Sequence, residues 1–241
     1  ALGQLYINLQ PADSAMRNML NVIIEFINQA KTNEKISFAK LYEQLASPVN
    51  GIGLRLGVIP IYLAAVFHEY KQQLIIEDRY GQVNLSAELL QQINAAPENY
   101  TISYLAWDEE KSVYVERLAE LFADNIVEAD CAVNAYDYVY KAMRRWYLAL
   151  PKYSKETKKN IYGEAIDKRF LKVLKLLKQE LSANEVLFKE LPLILGYTEL
   201  KTAVCQEIEG CKKFYDAQLG MFKHSLAEEV KQEFSLPAHQ E

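Results

Sequence analysis

Gly51 to Phe67 reads GIGLRLGVIPIYLAAVF, three glycines at one end with an apolar run behind them. A dinucleotide-binding turn needs G-x-G-x-x-G after a strand, because those glycines let the backbone approach a pyrophosphate. Gly51 and Gly53 fit, but the third position is Leu56 and Gly57 comes one residue late. The preceding LASPVN is no buried strand. A P-loop needs a Lys and then Ser or Thr after its last glycine, where this chain has Val58, Ile59 and Pro60. The stretch is therefore a turn feeding a helix, with no phosphate cradle. Pro60 has no N–H to donate and places either a kink or the helix start near Ile59; the helix is expected to run to about Gln72. A helix apolar on all sides is buried, so Val58, Ile61, Leu63 and Phe67 are expected in the core.

Two amphipathic helices precede this one. In SAMRNMLNVIIEFINQA (14–30) the apolar residues Met16, Met19, Leu20, Ile23, Ile24 and Ile27 recur at helical spacing, with Asp13 or Ser14 as N-cap. In KISFAKLYEQLAS, Ser37 is the cap of a short helix carrying Phe38, Leu41, Tyr42 and Leu45. After the third helix, LIIED and VNLS lie on either side of the glycine turn RYGQ and read as a β-hairpin, with YGQ at its tip. Three helices and a hairpin is the order of a winged helix, a variant of the helix-turn-helix. The three glycines then shape the turn between its second and third helices. A DNA-reading third helix needs polar and basic residues facing the major groove. Here the helix is apolar, and Arg55 and Arg79 are the only arginines nearby, so a packing role is favoured over base reading. His68 at its polar end reads as a surface residue.

AELLQQI reads as a further short helix, and YTISYLAW as one more strand. Beyond Asp108 the pattern is helical. Asp108 is the cap expected for EEKSVYVERLAELF, whose Glu109 and Glu110 suit the positive end of a helix dipole. NAYDYVYKAMRRWYLAL is an aromatic-rich helix stopped by Pro151. NIYGEAIDKRFLKVLKLLKQEL reads as one long amphipathic helix with Phe170, Val173, Leu174 and Leu177 on one face. NEVLFKELPLIL ends at Gly196, and the stretch from Glu199 to Phe234 is one long helix or two.

The chain has 241 residues and a net charge of −5. As a whole it is no polyanion binder, so any nucleic-acid contact must come from a local patch. That patch is Lys141 to Lys159, KAMRRWYLALPKYSKETKK. It places Lys141, Arg144, Arg145, Lys152, Lys155, Lys158 and Lys159 among Trp146, Tyr147 and Tyr153. Basic residues interleaved with aromatics hold a nucleic-acid backbone and stack on bases. The competing reading is a solvated loop, with Arg144 or Arg145 paired to acidic neighbours and Trp146 in the core.

Nothing points to a reaction. Glu109/Glu110 and Glu228/Glu229 are adjacent on helices and diverge, whereas acid–base work needs converging carboxylates. His68, His224 and His239 are too scattered for a metal or triad pattern. Cys131, Cys205 and Cys211 form no CxxC pair and no disulfide framework, and read as reduced thiols on packed helices. The abundant tyrosines read as core and interface filling. No cofactor or metal is expected. No apolar run is long enough to span a bilayer and no signal peptide begins the chain. A start at Ala1 reads as a processed product or a piece of a longer protein.

GLRLGVIPIYLAAVF, with Gly53, Gly57 and Pro60, resembles a segment of very large bacterial ATPases linked to phage defence, of the BREX type. RRWYLALPKYSKET and VLFKELPLILG resemble a downstream region of the same proteins through Trp146, Leu150, Pro151, Thr157, Leu187, Phe188, Leu191, Pro192 and Gly196. The resemblance implies a segment of a nucleotide-driven defence machine outside its ATPase core. This chain has no GxxxxGK[ST], so it implies neither ATP binding nor hydrolysis here, and no functional residue is carried over.

The expectation is a mainly α chain, with a winged-helix-like module and small β-hairpin over 1–105 and a helical bundle over 106–241. The favoured function is a non-catalytic scaffolding and interaction region of a larger cytoplasmic protein. Its partner would be another protein or other domains of the parent chain, with no membrane. The alternative is nucleic-acid binding through the wing (Arg79) and the basic stretch (Arg144, Arg145, Lys152, Lys155, Lys158 and Lys159).

Overall fold

The structure, a computed structural model, describes residues 7–32, 35–132, 134–160 and 162–234. It is mainly α-helical with one small antiparallel sheet, and the chain divides into two units, Ala1–Asp108 and Glu109–Glu241.

In the first unit, α1 (Ser14–Thr32) begins where Asp13 Oδ1 accepts the Met16 N–H at 2.7 Å, satisfying one of the donors a helix start leaves open. After β1 (Ile36–Ser37), Ser37 Oγ caps α2 (Phe38–Ala46) through the Ala39 N–H at 3.2 Å. The glycine stretch then turns the chain. Gly51 and Gly53 have φ of 71° and 60°, a left-handed backbone that glycine adopts without a Cβ penalty. The turn closes as the Leu54 N–H donates to Leu45 O at 2.8 Å. Gly57 has no positive φ and sits in a 3₁₀ turn, Leu56–Val58, so only two of the three glycines are needed for backbone shape.

Helix α3 (Ile59–Glu69) starts with Pro60 in its first turn, where a missing N–H costs nothing, and it stops short of Gln72. Its inward face is Ile59, Leu63, Val66 and Phe67. The expectation of burial on every side fails: Ile61 is 66% exposed, Ala64 and His68 are exposed, and Val58 is half-buried. The opposite face is apolar in composition yet open to solvent.

β2 (Leu74–Asp78) and β3 (Gly81–Val83) pair with Asp78 opposite Gly81. The hairpin tip is therefore Arg79–Tyr80 rather than YGQ. Asp78 Oδ1 holds it by accepting the N–H groups of Tyr80 (2.7 Å) and Gly81 (3.1 Å), an Asx turn. After α4 (Ala87–Ala95), β4 (Thr101–Tyr104) inserts between β1 and β2, giving the order β1-β4-β2-β3. Ile102 is paired with Ile36 on one side and Ile76 on the other, and is fully buried. Below the sheet, the Phe38 ring lies 5.5 Å from Phe26 and 6.0 Å from Phe67, joining α1, α2 and α3.

The second unit is helical: α5 (Glu109–Leu121), α6 (Ala135–Ala149), α7 (Lys152–Glu156), α8 (Lys168–Lys178), α9 (Ala183–Glu185), α10 (Leu191–Leu195) and α11 (Thr202–Glu233). Between α9 and α10 one π turn, Val186–Glu190, carries the Leu191 N–H back to Val186 O ahead of Pro192. Gly196, at φ 90°, ends α10. The last helix is single. The long helix expected from Asn160 instead begins at Lys168, because Gly163 takes a positive φ of 79° and Asp167 Oδ1 caps the Arg169 N–H at 2.8 Å. Residues 158–160 and 162–166 belong to a bridged turn, with Lys159 paired to Ala165. Tyr136, Val139 and Met143 of α6 pack in this unit's core, as do Leu118, Leu177, Leu187 and Tyr215.

The two faces of α3 should separate in stability measurements. Phe67→Ala should cost about 3–5 kcal/mol in chemical denaturation, the usual loss for emptying an aromatic core site. Ile61→Ala should stay within about 0.5 kcal/mol, as for an exposed position. Equal losses at both would contradict this orientation.

Candidate functional site

The structure divides the basic residues singled out above into paired and open ones. Arg79 stands at the hairpin tip of the first unit, its guanidinium 4.5 Å from the Tyr80 ring centre. In the second unit, Trp146 is buried in α6 and its indole N–H donates to Asp216 Oδ1 at 2.7 Å. Arg144 and Arg145 leave the helix on either flank and both meet acids. Arg144 contacts Glu180 at 3.2 Å. Arg145 is bonded to Asp130 and donates to Asn125 O at 3.1 Å. That bond from Arg145 holds the Asp130 carboxyl below its ordinary value, with Lys141 adding to the effect.

The lysines behave differently. Pro151 stops α6 and α7 follows at once. Within α7, Tyr153 stacks on Phe222 with centroids 4.6 Å apart and Ser154 is buried, which leaves Lys152 outward. Lys155 folds back, its ammonium donating to Leu148 O at 2.8 Å and lying 5.2 Å from the Tyr147 ring centre. A cation suits this place, since the last carbonyls of a helix are unpaired and carry the negative end of its dipole.

α8 forms the other wall. Val173, Leu174, Leu176 and Leu177 are buried, and Lys168, Lys172, Lys175 and Lys178 are exposed. Between the walls lies a groove of about 450 Å³ whose sides carry Lys152, Lys155, Lys175 and Lys178, with Tyr147 and Leu171 among its lining. Its one acid, Glu156, sits 3.9 Å from Lys152. Lys158 and Lys159 are exposed on the bridged turn that joins the walls.

The α8 lysines escaped the sequence reading, although Lys168, Lys172 and Lys175 follow the i, i+4, i+7 spacing of one helix face. Including them, residues 141–178 hold twelve Lys and Arg against three Asp and Glu, while the rest of the chain holds 15 against 29. Charge is strongly segregated along the sequence.

Elsewhere the chemistry is quiet. A larger cleft of about 660 Å³ joins the starts of α5 and α11, where Glu109, Glu110, Arg117 and Lys201 mix both signs. Burial pushes the thiols of Cys205 and Cys211 up to about 11 and about 12, so both stay protonated at neutral pH and are poor nucleophiles. The side chains of Cys131 and His239 lie outside the described residues. Among the described residues no three His, Cys, Asp or Glu side chains converge to hold a metal ion, and no helix is long and apolar enough to cross a membrane. No family model, curated protein or solved structure matches the chain.

One buried acid lies on the inner side of α6. Burial raises the Asp137 carboxyl to about 6, with Lys141 pulling the other way. Between about pH 4 and 6 the folded state keeps a proton that the unfolded chain has released, so stability falls as pH rises through that window. Above it the cost is complete, on the order of 3 kcal/mol. Asp137→Asn should therefore raise the melting temperature clearly at pH 7.5 and little at pH 4. An equal shift at both pH values would show that the buried charge is not the cause.

Proposed function

We propose that this chain is a non-catalytic binding region of a larger cytoplasmic protein, with the basic face of α6–α8 as its working surface. The observation that carries the reading is the lysine-walled groove in an otherwise acidic chain. Fixed cations that are not matched by nearby acids hold an anionic partner and bring it in by steering. The raised thiol values of Cys205 and Cys211 make them poor nucleophiles, in keeping with a binding role.

In the first unit, the order of three helices and a hairpin supports a winged-helix-like module, with β4 as an addition inside the sheet. The outward face of α3, with Ile61 and Ala64, offers base edges little beyond the exposed polar side chain of His68, which favours protein packing there. The likeness to phage-defence ATPases of the BREX type suggests such a protein as the parent, with its nucleotide chemistry carried elsewhere.

Two measurements test this. On immobilised heparin at low salt the protein should be retained in spite of its net charge of −5, and Lys175→Glu/Lys178→Glu should elute at clearly lower salt. Passage straight through the column would sink the basic-face reading. Millimolar ATP with magnesium should leave the melting temperature unchanged, since a ligand of the native state raises it; a rise of several degrees would overturn the non-catalytic assignment.

A further inference from the structure

We infer that the anion held by the α7–α8 groove is single-stranded nucleic acid, bound through its phosphates and by stacking and without base-sequence readout. This rests on the reading of the basic face as the working surface and names its ligand.

Three features select a single strand among polyanions. The first is the lysine ladder. Lys168, Lys172, Lys175 and Lys178 are exposed along one side of α8, and at 1.5 Å per residue they extend over about 15 Å. A ladder of this length tracks several successive phosphates of a flexible backbone. The second is the aromatic complement. Tyr147 lines the groove, and Tyr162 is 76% exposed in the turn joining its two walls. That turn is held in shape by Asn160, whose Oδ1 accepts the N–H groups of Tyr162 (2.9 Å) and Glu164 (3.0 Å). An exposed ring in the turn that also carries the exposed Lys158 and Lys159 offers a stacking platform for a base, and single-strand binders combine basic residues with aromatic rings. A duplex keeps its base faces stacked inside, and an acidic peptide has no base to offer the ring. The third is size. A groove of about 450 Å³ falls in the range that accepts one small ligand unit and does not admit a duplex.

The same geometry explains the lack of base-sequence readout. Reading guanine takes a bidentate fork, usually from arginine. Arg144 and Arg145 are engaged by Glu180 and Asp130, which leaves lysines as point charges.

The test is fluorescence anisotropy with a labelled oligothymidylate of about 15 nucleotides, within the site sizes of single-strand binders, at several salt concentrations. Affinity should be micromolar, with a log–log salt slope near −0.7 for each phosphate neutralised, about −3 for four. Lys175→Glu/Lys178→Glu should weaken binding at least about tenfold and flatten the slope by about half. Tyr162→Ser should weaken single-strand binding at least about fivefold without changing the slope. Lys223→Glu, an exposed charge on α11 outside the basic segment, should change little, and circular dichroism melts should show all variants folded.

Heparin retention with no oligothymidylate binding would overturn this inference and leave the basic-face reading standing. Duplex binding as tight as single-strand binding, or Tyr162→Ser binding like wild type, would also overturn it. Competition by polyglutamate as effective as by oligothymidylate would reassign the groove to an acidic protein. Failure on both heparin and oligothymidylate would remove both readings.

Discussion

The bond from the Trp146 indole to Asp216 fixes which side of α6 faces the core. A helix can turn only one side toward its core, and a tryptophan with its N–H satisfied inside is a strong anchor. With Trp146 drawn toward α11, Arg144 and Arg145 are carried to the flanks, where acids meet them, and Tyr147 comes to the groove. Pro151 then forces the chain out of the helix within one turn. The five-residue α7 uses that exit with Ser154 buried and Tyr153 stacked on Phe222 at the surface. Which cations stay open thus follows from one aromatic anchor and one helix stop.

Legibility in the sequence followed the contrast between adjacent residue types. Where apolar and polar residues alternate sharply, as in α1 and α2, the inward residues and the Ser37 cap were readable, because periodicity and capping express the same physical requirement. α3 has no such contrast. Isoleucine, alanine and tyrosine continue around its circumference, so composition implied burial on all sides, while four of its residues, Ile59, Leu63, Val66 and Phe67, are buried. The elements packed on α3, chiefly α1 and α4, leave the rest uncovered, and no local signal reports what a neighbouring element fails to cover. The start of α8 was missed for another reason. Ile161 and Ile166 extend the apolar rhythm upstream, but Gly163 and Asp167 end and restart the backbone, and a positive φ is invisible to periodicity.

The basic site was half legible. Its segment from Lys141 to Lys159 stood out by local charge density, yet Lys141, Arg144 and Arg145 are paired with acids at positions 130 and 180, outside the segment. The replacements, Lys175 and Lys178, lie in a helix that attracted attention for its apolar face. An amphipathic helix carries information on both sides. When one side is fully apolar and the other is almost all lysine, as in α8, the charged side lacks the Glu–Lys pairs that would serve solubility and also stabilise the helix.

The net charge of −5 and the basic groove do not conflict, because they act over different distances. At physiological ionic strength exposed charges are screened beyond about 8 Å. On the proposed reading, a phosphate in the groove would sit beside the lysines that line it, Lys152, Lys155, Lys175 and Lys178, while acids more than a screening length away contribute little. At low salt the screening length grows to about 30 Å at 0.01 M, and the acidic remainder of the chain, 29 acids against 15 bases, begins to oppose the approach of any polyanion. Counterion release pushes the other way, strengthening binding as salt falls. The two effects have opposite signs, so the salt dependence should be linear near physiological strength and bend toward a plateau when dilute. A uniformly cationic protein would show no such bend, and the curvature is therefore the signature of a local cationic groove on an acidic chain.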